Sequence, residues 1–351
     1  MFTKILFIIT LMMFGSLGPL VKQVGLPGAT ISYYRGVIAL PFILVCMLLF
    51  RKKIDFKAYR RNWKPLLLSG IFIGLNWIFL FESYDYTTVS IAITMNYLAP
   101  VFVTILAPFI IKEKSSLIKI ICVAIALLGV LFIGNVFSGG INGEKESMGF
   151  ILSFLAAVSY AALIFCNKFL KDIKGLDSCV AQLFVSNIVI LIYVLAKQDI
   201  TAVTRLSGYQ LGMLFVVGIV FTAIPYIAYF SLLIKLKCQE ISIFSYVEPI
   251  TAIILSAMVL HEPMNTYQIV GTILILFATV CSEIFGNVKI SGLLKRDKNI
   301  NTIDIPPTLI TNKDNNKAGI DSNMDDTANS SSSSNTSIID TSSTSDTTTL
   351  K

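Results

Sequence analysis

The chain has 351 residues, of which 55% are hydrophobic and 14% charged, and its formal net charge is +7. Soluble domains carry about 45–50% apolar and about 25% charged residues, so the composition excludes an ordinary globular enzyme. The mean hydropathy of +0.76 is concentrated in long apolar blocks, and the basic residues have to be read by position before any nucleic-acid patch is inferred from them.

A bilayer-crossing helix needs about 20 apolar residues. Ten such blocks run along the chain, at 4–21, 29–50, 65–84, 87–111, 117–135, 148–167, 177–196, 209–234, 240–260 and 266–285. Backbone polar groups must be satisfied inside lipid, and a barrel would need short alternating segments instead, so the blocks are predicted to be helices. The first lacks a clear small-x-small cleavage site at Gly15-Ser16-Leu17-Gly18-Pro19 and reads as an uncleaved span. Taking the N-terminus as cytoplasmic puts 20 of the 28 basic residues on cytoplasmic connections and four, Lys22, Lys145, Lys197 and Arg205, on the other side. By the positive-inside rule both termini are then cytoplasmic, in a multi-pass protein of the plasma membrane, and the charge marks topology rather than nucleic acid. Beyond about residue 287 the sequence turns to Asn, Asp, Thr and Ser, with no aromatic residue after 300, which predicts a disordered cytoplasmic tail over 287–351. The six cysteines and single histidine, His261, show no CxxC or ligand spacing, so neither a metal nor a cofactor is expected.

Sliding the chain by 149 residues superposes Tyr97 on Tyr246, Pro100 on Pro249, Glu113 on Glu262 and Ile120 on Ile269 without a gap. Near the start of each half, Phe14 and Lys22 match Tyr160 and Lys168 in character. An odd number of helices per half inverts the second half, which predicts two inverted five-helix repeats, 1–136 and 147–286, in an all-α integral membrane protein of ten transmembrane helices. That is a common secondary-transporter architecture, with the site between halves near the midplane.

Tyr34-Arg35-Gly36, Asn96-Tyr97-Leu98-Ala99-Pro100-Val101, the stretch from Glu113 to Gly129, and Glu262, Gln268 and Gly271 resemble the EamA domains of the drug/metabolite transporter superfamily. The resemblance spans about residues 4–285. It implies ten helices, outward transport of amino acids or small metabolites, and coupling to an ion gradient in some members. The second half has no counterpart of Arg35 in its second helix.

Two charges are not explained by topology. Arg35 lies inside the second helix, where a cation is costly; it either faces the interior, to pair with an acid or an anionic substrate group, or snorkels to the outer interface. Glu248 precedes Pro249, which frees backbone carbonyls. It is a candidate for proton coupling or for binding an amino group, or else for a structural pair with Arg35 or a Tyr hydroxyl. Asn76, Trp77, Asn96, Tyr97, Tyr160, Tyr226, Tyr229 and Tyr246 are candidate cavity-lining residues, with Pro100 and Pro249 as helix bends. Glu82 and Asp85 read as a solvated helix end. Glu113 and Glu262 read as structural acids complementing the N-termini of helices five and ten, and Gly70 and Gly74 as a close-packing pair.

The expectation is a secondary transporter exporting amino acids or related metabolites by alternating access, with protons as a candidate coupling ion and the bilayer and a small metabolite as its partners. A carrier of phosphorylated or nucleotide-linked metabolites is the alternative within the superfamily, but it would want several cations. A scaffold or receptor is the alternative from another class. No enzyme is expected, because no nucleophile, base or metal constellation stands at membrane depth.

Overall fold

The computed structural model describes residues 2–51, 55–112, 116–134, 143–197, 207–233, 235–236, 238–262 and 264–285. The predicted tail, Glu113 and the residues of the 135–142 and 198–206 connections lie outside the described residues. The described residues are almost entirely helical, with no strand among them.

The ten predicted blocks correspond to ten helical spans, three of them interrupted. The helices are α1 (Phe2–Val24), α2 (Gly28–Leu49), a short α3 (Phe56–Arg61), α4 (Trp63–Ser83), α5 (Val89–Asn96), α6 (Ala99–Ile110), α7 (Leu117–Ile133), α8 (Glu144–Lys168), α9 (Gly175–Lys197), α10 (Gly208–Gly218), α11 (Ile224–Leu233), α12 (Cys238–Ser245), α13 (Val247–Val259) and α14 (Thr266–Phe285). Successive pairs α5/α6, α10/α11 and α12/α13 each make one span. Seven spans are long and apolar enough to cross a membrane by themselves, and the helices at Leu117–Ile133, Val247–Val259 and Thr266–Ser282 are shorter apolar segments. At about 1.5 Å per residue, helices of 21 to 26 residues reach across a hydrocarbon core of about 30 Å. The chain is a multi-pass membrane protein.

Local sequence sets the helix starts. Thr88 and Ser116 accept from Ile91 N and Lys119 N at the heads of α5 and α7. Ser207 and Gln210 form a reciprocal capping box at α10. Asn62, fully buried, joins α3 to α4: its Nδ2 donates to the carbonyls of Ala58 and Lys171 at 2.9 and 2.8 Å and its Oδ1 accepts from Lys171 N at 2.8 Å. That clamp fixes the turn between α8 and α9 against the head of α4.

The 149-residue shift recurs in the backbone. It carries Val89, Asn96 and Ile110, the ends of α5 and α6, onto Cys238, Ser245 and Val259, the matching ends in α12 and α13. The packing repeats as well. Helix α1 lies on α13, and its counterpart α8 lies on α5 and α6; α4 lies on α9, and the α10 span lies on α2. Helices α7 and α14 pack on each other, with Gly129 and Gly271 so close that a Cβ on Gly271 would stand 2.5 Å from the Gly129 carbonyl oxygen. Their counterparts under the shift, Ala278 and Cys122, share one buried cluster. Both Gly70 and Gly74 press α4 onto α9, at Val185 and Val189, the close approach that small residues permit.

Candidate functional site

The two half-helix breaks lie side by side. Proline at 100 and at 249 falls in the first turn of α6 and of α13, where its missing N–H is least harmful. In each case the carbonyl four residues back loses its intrahelical donor. One such carbonyl, Ser245 O, is met by the Tyr97 hydroxyl at 3.5 Å. The rings of Tyr97 and Tyr246, equivalent in the repeat, lie 6.4 Å apart between centroids. Tyr97 also hydrogen-bonds the Glu248 carboxylate. The paired breaks therefore bring together two tyrosines, an acid and a freed carbonyl, which continuous helices would have kept on separate faces.

Arg35 stands on α2. Its side chain is 1% exposed, so it does not snorkel. The guanidinium lies 3.9 Å from the Trp77 ring centroid and 4.7 Å from that of Phe81, and it is close enough to the Tyr226 and Tyr84 hydroxyls to interact electrostatically. Among the described residues it makes no ion pair, and its Nε has no hydrogen-bond partner. Nor does Glu248 pair with it; the three ion pairs among the described residues are Lys4–Glu240, Lys22–Glu262 and Arg61–Asp172. Cation–π contact satisfies the charge of a guanidinium only partly and leaves its N–H donors available.

Tyr226 connects the two halves of the site, since it interacts electrostatically with both Arg35 and Glu248 and with Tyr160. Its position follows from a π-helical turn, Ile219–Ala223, between α10 and α11, where Thr222 Oγ1 donates to Val217 O at 2.8 Å. Such turns re-aim the side chains that follow and are frequent at functional sites. Phe14 of α1 packs edge-on against Tyr226 at 5.3 Å.

The remaining predicted residues divide. Asn76 is buried and spends its amide on Asn96 Oδ1 at 2.9 Å and Ala156 O at 2.8 Å, which ties α4, α5 and α8 together beside the break. Tyr229 stacks on Phe7 and meets Phe14, so it belongs to the aromatic packing at the Lys4 end of α1. Tyr160 is 40% exposed as a residue, although it interacts electrostatically with Tyr226.

Other polar groups escaped the sequence reading. Both amide atoms of the buried Asn187 on α9 lack partners among the described residues, as does Ser32 Oγ. Asn187 presses on Gly36, where a Cβ would stand 2.0 Å from Oδ1. Ser32 and Gly36 are one helical turn apart, so a polar strip flanks Arg35 along α2. The signal available was an amide in an apolar block.

Glu262 corrects the expectation that it complements the tenth span. Asn265 and Gln268 already cap α14 reciprocally, Asn265 N donating to Gln268 Oε1 at 2.9 Å and Gln268 N to Asn265 Oδ1 at 2.8 Å. Glu262 instead accepts from Val89 N at 2.9 Å, at the head of α5, and from Ser256 Oγ at 2.7 Å, and it pairs with Lys22. His261 holds a left-handed backbone, φ 53°, which turns the chain toward α5. Histidine is among the residue types enriched at positive φ.

A bundle of apolar spans, two of them broken at matching prolines, with a buried arginine and an acid bonded beside one break, has the build of a membrane transporter. The EamA-like transporter family model matches residues 1–135 and 147–283, and the chain belongs to that family. It is 29% identical over 273 residues to the uncharacterized transporter YxxF of Bacillus subtilis, covering 76% of this chain and 85% of that protein. It is 24% identical to the uncharacterized transporter YojE of the same organism, over 72% and 85%. Solute carrier family 35 member G1 of Mus musculus is 28% identical over 148 residues, 41% of this chain and 40% of that one. A solved crystal structure at 12% identity superposes with a TM-score of 0.55, covering 81% of this chain and 98% of that chain, a likeness of fold.

Proposed function

We propose that this chain is a secondary transporter of the plasma membrane that exports amino acids or closely related metabolites by alternating access, with both termini cytoplasmic. The halves 1–136 and 147–286 serve as the two bodies that rock about the paired breaks. The carrying observation is Arg35, buried with no acidic partner among the described residues and flanked by aromatic rings. A charge kept in an apolar bundle without a counter-ion suits a site whose anion arrives with the substrate. The substrate carboxylate docks on the guanidinium with two charge-assisted hydrogen bonds, and Trp77 and Phe81 keep that guanidinium oriented. Glu248, bonded to Tyr97 beside the break, receives the amino group or a coupling proton, and Tyr226 stands between the two poles. A single buried cation favours a carboxylate over a phosphate ester, which recruits several.

The test is flux of labelled amino acids in proteoliposomes, with and without an imposed pH gradient, for wild type and Glu248→Gln. Saturable flux in wild type, accelerated by the gradient, and a Gln variant that has lost that acceleration are expected. Wild-type rates and pH dependence in the variant would remove Glu248 from the mechanism. Absence of amino-acid flux in folded wild type would overturn the substrate class.

A further inference from the structure

One carboxylate gathers the end of the bundle that contains Lys22. Glu262 stands in the connection between α13 and α14 and accepts from three other segments at once: Lys22 Nζ in the last turn of α1, Val89 N at the first residue of α5, and Ser256 Oγ in α13. Its side chain is 13% exposed, so the ion pair is shielded from full solvent screening. The packing beneath is tight. A Cβ on Gly18 of α1 would come within 2.8 Å of Val89 Cγ1, and one on Gly28 within 2.4 Å of the Phe81 carbonyl oxygen. Gln210 Nε2, at the head of α10, donates to Val24 O at 2.9 Å. Val21, Val24, Val89, Ala92, Ile93, Leu214 and Val217 form the apolar layer under this lattice. On the topology argued from basic residues, this is the outer side.

The three groups bound by Glu262 belong to different halves. Lys22 and Val89 lie in the first repeat and Ser256 and Glu262 in the second. A helix start leaves several free N–H groups: at α5 Thr88 takes Ile91 N and Glu262 takes Val89 N, while α14 already has Asn265. The added ion pair and hydroxyl bond do no work in capping. They link the two bodies whose relative motion opens the site.

We infer that Glu262 is the latch of the outer gate: its charge-assisted contacts with Lys22 and the head of α5 hold the Lys22 end shut, and their release lets that end open. The inference rests on the alternating-access reading, while its test needs no substrate.

A cysteine is placed at Ile93, in the apolar layer below the latch, and its labelling by a membrane-impermeant maleimide is timed in intact cells and in inverted vesicles. Parallel samples without the new cysteine supply the background of the native ones. In the closed protein Ile93→Cys labels slowly. Adding Glu262→Gln, or Lys22→Met at an exposed lysine whose loss leaves the fold in place, is expected to speed labelling about tenfold or more, the scale of lost charge-assisted hydrogen bonds. Acceleration from the extracellular side supports the latch on the outer side. Acceleration from the cytoplasmic side alone keeps the latch and overturns its assignment to the outer gate. Unchanged labelling in folded Lys22→Met overturns the proposal whatever Glu262→Gln does, because Glu262 would then be a cap. Failure of amino-acid flux in wild type with accelerated labelling in both variants would count against the substrate reading and not against the latch.

Discussion

Replacing Arg35 with methionine separates a binding role from a structural one, because the two make opposite demands on stability. A charge at the centre of a membrane helix costs about 2.5–3.5 kcal/mol on insertion scales. Against this stand two cation–π contacts, with Trp77 at 3.9 Å and Phe81 at 4.7 Å, worth about 0.5–2 kcal/mol each. The two nearly cancel, to within about 2.5 kcal/mol, and no ion pair among the described residues tips the balance toward the charged form. Methionine fills a comparable length with a flexible apolar chain. Arg35→Met is therefore expected to unfold at the same temperature as wild type or higher, followed by thermal denaturation in detergent. Flux behaves differently. Two charge-assisted hydrogen bonds to a carboxylate at about 1.5–3 kcal/mol each amount to at least about 100-fold in apparent affinity at about 1.4 kcal/mol per decade. Proteoliposome flux at a fixed low substrate concentration should fall by that factor or more. An Arg35→Met protein that unfolds much earlier, yet transports normally per folded molecule, would refute the reasoning and make the guanidinium a packing element.

Three further substitutions address the frame. Pro249→Ala supplies an N–H that can reach Ser245 O, now met by Tyr97; a gain of about 0.5–1.5 kcal/mol in stability is expected, together with slower turnover, and unchanged turnover would deny the break a role in motion. Gly271→Leu drives a side chain into the Gly129 carbonyl and the Ile133 nitrogen, 2.5 and 2.8 Å from its Cβ. Neither backbone atom can swing aside, so destabilisation at or above the upper end of the usual overpacking cost of about 1–3 kcal/mol should appear as lost folded yield in size-exclusion profiles. Asn62→Ala leaves Lys171 N without its acceptor and Lys171 O with only Arg61 Nη2 at 3.3 Å, in a half-buried turn, and should cost about 1–3 kcal/mol, seen as a lowered unfolding midpoint; a fall under 0.5 kcal/mol would mean the 170–172 turn holds itself.

The ten spans were legible because membrane helices are written in composition: an apolar block of the right length has few other places to go. The repeat was legible in Tyr97, Pro100 and Glu113 against Tyr246, Pro249 and Glu262, and the helix ends of α5, α6, α12 and α13 follow the same shift. Arg35 stood out for the same reason, as a charge where charges are expensive. Composition is also why the polar residues could not be sorted by type. Asn76 and Asn187 look alike in sequence, yet one is fully engaged by Asn96 and Ala156 and the other has no partner among the described residues. The π turn of 219–223 carries no local mark apart from Pro225 two residues on.

Glu262 shows where one-dimensional reading stops. An acid placed four residues before a helix has an obvious local task, and the chain gives that task to Asn265. Its actual partners, Lys22 and Val89, are 240 and 173 residues away in sequence. Arg35 and Glu248 were likewise candidates for each other, and only packing put Trp77 and Phe81 against one and Tyr97 against the other. Hydrophobic length and charge bias act along the chain and against a planar bilayer, so sequence alone determined spans, repeat and expected orientation. Hydrogen bonds and ring contacts act over a few ångströms between helices remote in sequence, so which polar group meets which was decided by the tertiary structure.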